Sequence, residues 1–418
     1  SDLSTDAVSQ QSLPGYDEDD PFENTTYTGR LGIAVLDDGR LDLSYRSYEG
    51  DTELDGFGAE ALNANQVTDG ETVALTFEKN FTRNWRQTLR YGRGETDLLG
   101  DDPDFPSNRY DIRSENEMLE AQADVSIGAS HLLNLGYTTE ERIGRNVGAF
   151  GFDEEADLDS WFVQDQWSVG EHVNLTGAIR NDDHSVFGDE TSYRVTGTGA
   201  FNRTQTRIYG SVGSAFRAPN FNELYFPFSG DPTLRPETSE GWDLGIHHHG
   251  PRNRWSVDLA WFDIEFDDLI DFDLATFTFK NVASAKSEGA ELTLRYQPLD
   301  ALDLVLSHTW NETEDESTGD PLARRPENRT TLVAQFLATD RLDGAVSAAA
   351  VSDRVDSTGL DMDDYVKMDL SLRFRAFSWL RPFARIENLL DEDYEEVPNF
   401  TTPGRTWYVG LTLARDPR

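Results

Sequence analysis

Three adjacent histidines, His247-His248-His249, are the residues of this chain best suited by type to hold a transition metal or a haem. On a strand, successive side chains point to opposite faces, so His247 and His249 can share a ligand and His248 cannot. A titratable strand end is the competing reading. Hard-cation chemistry has a different candidate in Asp97, Asp101, Asp102 and Asp104, which crowd one short segment. Calcium gathers about six to eight oxygen ligands. The segment lacks the fixed glycine and terminal glutamate of an EF-hand loop, so a solvated acidic loop is the alternative.

Covalent catalysis finds no comparable foothold. No serine, histidine and aspartate set sits in a nucleophile elbow, and nothing singles out one acid–base pair among 78 acidic residues. Gly210-Ser211-Val212-Gly213-Ser214 falls inside a strand pattern, without the strand-turn-helix context of a phosphate loop. The expectation is a protein that is not an enzyme and carries no covalent cofactor.

The elements that must position these residues are strands. In the last patterned stretch Trp407, Val409, Leu411 and Leu413 share one face, while Tyr408, Gly410 and Thr412 share the other. About 20 segments follow this period of two, from 27–35 to 404–413, with 275–283 among them. Each is about eight to a dozen residues long, enough for a tilted strand to cross a hydrocarbon layer. Tight joins such as Asp37-Asp38-Gly39, Gly170 and Asn202-Arg203-Thr204 alternate with longer segments such as 50–69, 93–114, 141–156, 216–237, 312–327 and 351–363. That rhythm places the short turns on one rim and the long loops on the other, as in membrane barrels.

Individual faces agree. Trp255, Val257, Leu259 and Trp261 alternate with Ser256, Asp258 and Ala260, so tryptophans bracket an apolar stripe. Val366, Met368, Leu370, Leu372 and Phe374 alternate with Lys367, Asp369, Ser371, Arg373 and Arg375, a charged face that is costly in a dry core and cheap in a hydrated lumen. The fold expected is all-β, an antiparallel transmembrane β-barrel.

Composition bounds the rest. Of 418 residues 37% are apolar, despite 24 Phe, 14 Tyr and 9 Trp, as expected where every second strand residue faces a polar lumen. With no cysteine, disulfides and thiolate metal sites are unavailable. No run of 18 apolar residues exists, which excludes a helical span and leaves a β-barrel open. A net charge of −42 excludes nucleic acid as a partner. It suits a high-salt habitat, where screening weakens self-repulsion. A soluble halophilic β-rich domain and a passive or structural barrel presenting its loops are the other classes open at this point.

Motifs then narrow the choice. Ser214-Ala215-Phe216-Arg217-Ala218-Pro219-Asn220-Phe221-Asn222-Glu223-Leu224-Tyr225 is followed by Pro232, Pro236 and Glu237. Asn281 and the Gly289-Ala290-Glu291 stretch come next, then Asn388-Leu389, Tyr394 and Gly404-Arg405. In this order the motifs resemble the signature of TonB-dependent outer-membrane receptors, most clearly over 205–413. Within that family, 268–271, 322–326 and 392–395 look most like cobalamin receptors, and the acidic 97–104 segment lies where those receptors bind calcium.

The resemblance implies energised uptake of a bulky, scarce nutrient across the outer membrane of a Gram-negative bacterium. Cobalamin or a related corrinoid is the first expectation and a ferric siderophore the second. It further implies outer-membrane lipid as a partner, a small-molecule nutrient, and an inner-membrane energy-coupling complex acting through an N-terminal plug inside a barrel of about 22 strands. Against that pattern the chain is expected to supply barrel wall over 1–413 and a polar tail over 414–418. Its plug and first hairpin are expected to be missing. Arg217, Glu237 and Arg405 are expected to organise polar networks rather than touch ligand.

Overall fold

The computed structural model describes residues 2–5, 22–54, 63–106, 109–147, 151–273, 276–281, 284–398, 400 and 402–413. The acidic run 17–20, residues 282–283 and the expected tail 414–418 lie outside the described residues.

The first half of the wall is β1 (Asp2–Thr5), β2 (Phe22–Val35), β3 (Gly39–Glu53), β4 (Asn65–Thr82), β5 (Trp85–Asp101), β6 (Tyr110–Ile127), β7 (His131–Asn146), β8 (Phe152–Val169), β9 (Val173–His184) and β10 (Gly188–Phe201). It continues through β11 (Thr206–Arg217), β12 (Glu237–His249) and β13 (Trp255–Asp267). A loop hairpin of β14 (Ile270–Asp273) and β15 (Thr278–Asn281) intervenes before β16 (Ala285–Leu299), β17 (Leu302–Asp315), β18 (Asn328–Thr339) and β19 (Leu342–Ser352). A second small pair, β20 (Arg354–Val355) and β21 (Asp361–Met362), precedes β22 (Tyr365–Phe374), β23 (Leu380–Glu387) and β24 (Thr406–Leu413).

Apart from the two small pairs, these strands form one 20-stranded antiparallel sheet in which each strand bonds to its sequence neighbours. Local turns suffice for such a meander, which is why the period-two pattern recovers nearly all of it. Among the described residues no register joins β24 to β1 or β2.

The protein is inside out relative to a soluble one. Among the described residues, the buried apolar side chains are few and scattered, including Leu224, Leu234 and Val351. Meanwhile Leu244, Leu259, Leu119 and Val195 are roughly half exposed on the wall's outer side. No sheet this size stays soluble with such a band facing water, so the band faces lipid. Aromatic pairs mark its lower edge at the short-turn rim: Phe81 stacks on Trp85 at 4.7 Å, Phe377 on Trp379 at 5.7 Å. On the other side Trp261 and Trp310 lie 5.7 Å apart. No helix among the described residues is long and apolar enough to cross a membrane.

The rims divide as expected. Connections 36–38, 83–84, 128–130, 170–172, 202–205, 250–254, 300–301, 340–341 and 375–379 lie on one rim. The other carries 54–64, 102–109, 218–236, 268–284, 316–327, 353–364 and 388–405, although 147–151 and 185–187 there are short.

Two expectations are corrected. The described part of 275–283, residues 276–281, is not wall strand; Thr278–Asn281 pairs with Ile270–Asp273 in the loop hairpin. Its alternation, Phe277 then Phe279, packs rings on Phe272 rather than on lipid. Many of the wall strands, β2 to β8 above all, are also longer than a dozen residues, reaching 18 in β4, β6 and β8, whereas β9, β11, β18, β19 and β22 to β24 stay within the expected length. Much of 93–114 and 141–156 is therefore paired strand standing above the lipid. Both faces are wet there, so hydrogen bonding continues after the apolar alternation has stopped.

Candidate functional site

The long-loop rim is organised from the end of β11. Arg217 pairs in register with Glu237, the first residue of β12. Its Nε donates to Glu237 Oε2 at 2.6 Å and its Nη2 to Glu237 Oε1 at 2.7 Å. The same guanidinium donates to Glu223 Oε2 at 3.1 Å and Oε1 at 3.0 Å. A planar fork with five donors is the side chain that can hold two carboxylates at once.

Glu223 belongs to the single-turn helix α1 (Phe221–Tyr225) and completes a capping box. Asn220 Oδ1 accepts the Glu223 N–H at 2.9 Å, while Glu223 Oε2 accepts the Asn220 N–H at 2.8 Å. Neither a five-residue helix nor a 19-residue connection (218–236) would hold its place by local propensity. Arg217 and the burial of Glu223 and Leu224 hold it.

The loop turns into the lumen. On β7 the outer face is marked by Tyr137, so Gly144 faces inward. A Cβ on Gly144 would run into the Phe221 ring. β7 is four strands from β11 in a 20-stranded wall, roughly 19 Å around it, so α1 lies along the inner side of the rim over about a fifth of the wall. Phe152 and Tyr225 add a ring contact at 6.4 Å. Gly144→Leu is therefore expected to displace α1 while the wall stays folded. The check is faster proteolytic nicking within 218–236 with unchanged heat-modifiable gel mobility.

The β11–β12 loop is also tied to the next one. Asn281 Oδ1 accepts the Arg235 N–H at 2.8 Å, and its Nδ2 donates to the carbonyls of Arg235 (3.0 Å) and Asp268 (2.6 Å). The Arg235 guanidinium pairs with Asp268, and Glu237 Oε1 accepts the Ile270 N–H at 2.8 Å. Pro219, Pro232 and Pro236 lie outside the strands, where a missing donor costs nothing to the ladder.

A second cluster closes the rim at the C-terminal end. Asn388, 1% exposed, has φ of 49°; its Nδ2 donates to the Glu392 carbonyl at 2.8 Å and its Oδ1 accepts the Glu392 N–H at 2.9 Å. Arg405 Nε donates to the Leu389 carbonyl at 3.0 Å, and its backbone N–H to Asp391 Oδ1 at 2.8 Å. Gly404 keeps this approach open, since a Cβ there would lie 3.3 Å from Asp391 Oδ1. Tyr394 stacks on Tyr365 at 4.4 Å, beneath which lies the buried Arg354. Inside the wall, Gly289 is needed for close strand approach, because a Cβ would collide with the Trp310 carbonyl; Glu291 is on the same lumenal face.

Arg217, Glu237 and Arg405 thus stand in polar networks between loops and wall. The four aspartates of 97–104 are divided among separate tasks. Asp97 receives Arg113 through two hydrogen bonds of 2.6 and 2.9 Å. Asp102 is buried and its Oδ1 accepts the N–H groups of Asp104 (3.1 Å) and Phe105 (2.9 Å), Asp104 Oδ2 accepts Asn63 Nδ2 at 2.9 Å, and Asp101 is exposed. Among the described residues Glu141, Glu155 and Asp157 also converge, with one oxygen of each within 4.8 Å of the others. No spacing rule finds them, since they come from two strands set side by side by register.

Loop turns depend on ionised aspartates. Thr233, through its hydroxyl and then its N–H, holds the Asp231 carboxyl below its usual range. The Thr358 hydroxyl and then the Leu360 N–H do the same for Asp356. A lowered folded-state pKa gives stability that is full above the unfolded value, about 3.9, and is lost as pH falls through the lowered one. Amide protection in 231–236 and 356–360, taken relative to the intrinsic exchange rate at each pH, is accordingly expected to fall below that range and to be flat from pH 5 to 8.

At the opposite rim, the alternation of β12 puts Trp242, Leu244, Ile246 and His248 outside, and His247 and His249 inside. His247 Nε2 lies 2.9 Å from His249 Nε2, and His247 Nδ1 lies 2.8 Å from Asp258 Oδ2. Tyr209 donates to Asp258 Oδ1 at 2.6 Å. The outward His248 instead meets Trp255, ring centres 5.3 Å apart.

Comparison with known proteins agrees with this architecture. The family described as TonB dependent receptor-like, beta-barrel matches residues 5–389. The vitamin B12 transporter BtuB of Vibrio vulnificus is 31% identical over 246 residues, covering 57% of this chain and 39% of that protein. The vitamin B12 transporter BtuB of Photobacterium profundum is 22% identical over 416 residues, covering 97% of this chain and 67% of that protein. Among solved structures, the ferric enterobactin receptor PfeA of Pseudomonas aeruginosa superimposes with a TM-score of 0.83 at 17% identity, over 98% of this chain and 74% of that one.

Proposed function

We propose, from the premise that the chain belongs to the TonB-dependent receptor-like β-barrel family, that it forms the wall and ligand-gathering rim of an outer-membrane receptor for energised uptake. The family transports rather than catalyses. The observation that carries the reading is the Arg217, Glu223 and Glu237 tether, which holds an inward-turned loop over the lumen. A loop so fixed offers a preorganised mouth for a bulky ligand, with less ordering entropy to lose on binding.

The ligand class we assign is a metal chelate. The solved neighbour is named for a ferric siderophore and the two sequence relatives for vitamin B12. A chain with net charge −42 favours neutral or cationic chelates over polyanionic ones. The partners proposed are outer-membrane lipid and an inner-membrane energy-coupling complex.

The test is binding by the purified protein of a panel of neutral, cationic and anionic ferric siderophores and of cobalamin, with and without calcium. Uptake is then measured in a Gram-negative host lacking its own receptors, with the coupling complex present or deleted. A neutral or cationic ferric siderophore should bind, and its uptake should need the coupling complex. Saturable binding of cobalamin alone would move the assignment to corrinoids, and no coupling-dependent uptake of any chelate when this wall is expressed joined to the plug of a family member would overturn the receptor reading. The acidic surface further predicts a Tm that rises with NaCl up to molar concentration, because screening relieves self-repulsion; a Tm flat in salt would remove the high-salt assignment.

A further inference from the structure

The lumenal histidine pair at the short-turn rim has no part in the loop apparatus above, and the hydrogen-bond spacing that joins its two rings is also the spacing of a chelate. His247 and His249 are two apart on β12 and project from the same face. Their Nε2 atoms are 2.9 Å apart. Two imidazoles bound cis to one ion, with metal–nitrogen bonds of about 2.0–2.1 Å at a right angle, stand about 2.9 Å apart.

The surroundings prepare one of them. Asp258 Oδ2 lies against His247 Nδ1, and Tyr209 holds the other oxygen of the same carboxylate. With Nδ1–H donated to Asp258, Nε2 of His247 carries the lone pair, the carboxylate–histidine arrangement that orients metal ligands and raises their basicity. Tyr209 reaches Asp258 because it lies across Gly245, where a Cβ would collide with its ring. The pair opens into a cavity of about 420 Å³, lined also by Phe201, Gln205, Arg207 and Asn253, which leaves room for water or an exogenous ligand on the remaining positions.

We infer that His247 and His249, oriented through Asp258, form a lumenal binding site for a late first-row divalent metal ion, Cu(II) foremost. Imidazole nitrogen suits Cu, Ni and Zn, the Irving–Williams order puts Cu(II) first, and the cis spacing suits a tetragonal ion. The site lies at the rim opposite the long loops, and its readout does not depend on which chelate is imported.

The experiment is titration of the full chain in detergent micelles with CuCl2, followed by electron paramagnetic resonance. One equivalent is expected to bind, with a spectrum showing two nitrogen donors. His247→Ala and His249→Ala should each lower affinity at least tenfold. Asp258→Asn should lower it about 10- to 100-fold, the usual effect of losing such an orienting partner. His248→Ala, between the two ligands in the chain but on the outer face, should leave it unchanged. Heat-modifiable gel mobility establishes folding of each variant, and His249→Gln, which keeps the side-chain bulk, replaces any that misfolds. Equal binding by the His247→Ala/His249→Ala double variant, an equal loss in His248→Ala, or no binding at all would overturn the site.

Discussion

Leu259→Arg is expected to destabilise the inserted protein by about 2–4 kcal/mol, the depth-dependent cost of a cationic side chain near the middle of the lipid face of a barrel. Leu259 is 46% exposed on the outer face of β13, between Trp255 and Trp261. Those tryptophans are six residues apart in the chain, roughly 20 Å along a strand and less once the strand tilts. Leu259 therefore sits close to mid-depth, where an arginine has little room to reach the interface. The measurement is folding free energy in lipid vesicles by urea titration. Ala260→Arg, one residue on and facing the lumen, is the matched control and should cost distinctly less. Equal costs would mean that the two faces of β13 are assigned the wrong way round.

The second large effect is expected at Arg217. Arg217→Ala leaves Glu223 and Glu237 facing each other without a cation, and their side chains are only 11% and 16% exposed. Breaking a buried pair costs about 3–5 kcal/mol. The Arg217 side chain is itself 44% exposed, so solvent screening brings the expected loss to about 1–3 kcal/mol. The loss should be local: nicking within 218–236 and weaker chelate binding, with the wall intact. Arg217→Lys keeps the charge and lacks the fork, so it should recover only part of both readouts. Unchanged protection of 218–236 in Arg217→Ala would show that burial of Leu224 and Phe221 suffices to seat the loop.

The two predictions rest on different kinds of legibility. Leu259 could be placed from its neighbours alone, and so could the separation of His247 and His249 from His248, because a strand's period is two and each residue's side follows from parity. The same parity misassigned 275–283. Alternation there reports rings packing inside a loop hairpin, and a local pattern cannot distinguish lipid from a neighbouring phenylalanine. It also ended the strands too early at 93–114 and 141–156, since hydrogen bonding leaves no trace in composition once both faces are wet.

Arg217 shows the other limit. Its motif could be recognised and a role in a polar network expected, but the partners of that network lie 6 and 20 residues away and on a further loop at Ile270. The acidic stretch at 97–104 drew attention because its residues are adjacent; among the described residues a further set, Glu141, Glu155 and Asp157, converges from two strands and no spacing along the chain points to it.

By itself the sequence determined the class of wall, the lipid and lumen faces of most strands, the short-turn and long-loop rims, and the family. The wall, its faces and its rims are recorded in the alternation of residues along the chain and the solvent or lipid each meets, and the family in the order of its motifs. Only the tertiary structure decided that α1 reaches Gly144 four strands away, that Asp258 stands behind His247, and which acids meet. Those depend on strand register, on the curvature of the sheet and on the path of long loops, which bring together residues whose separation along the chain carries no periodic signal.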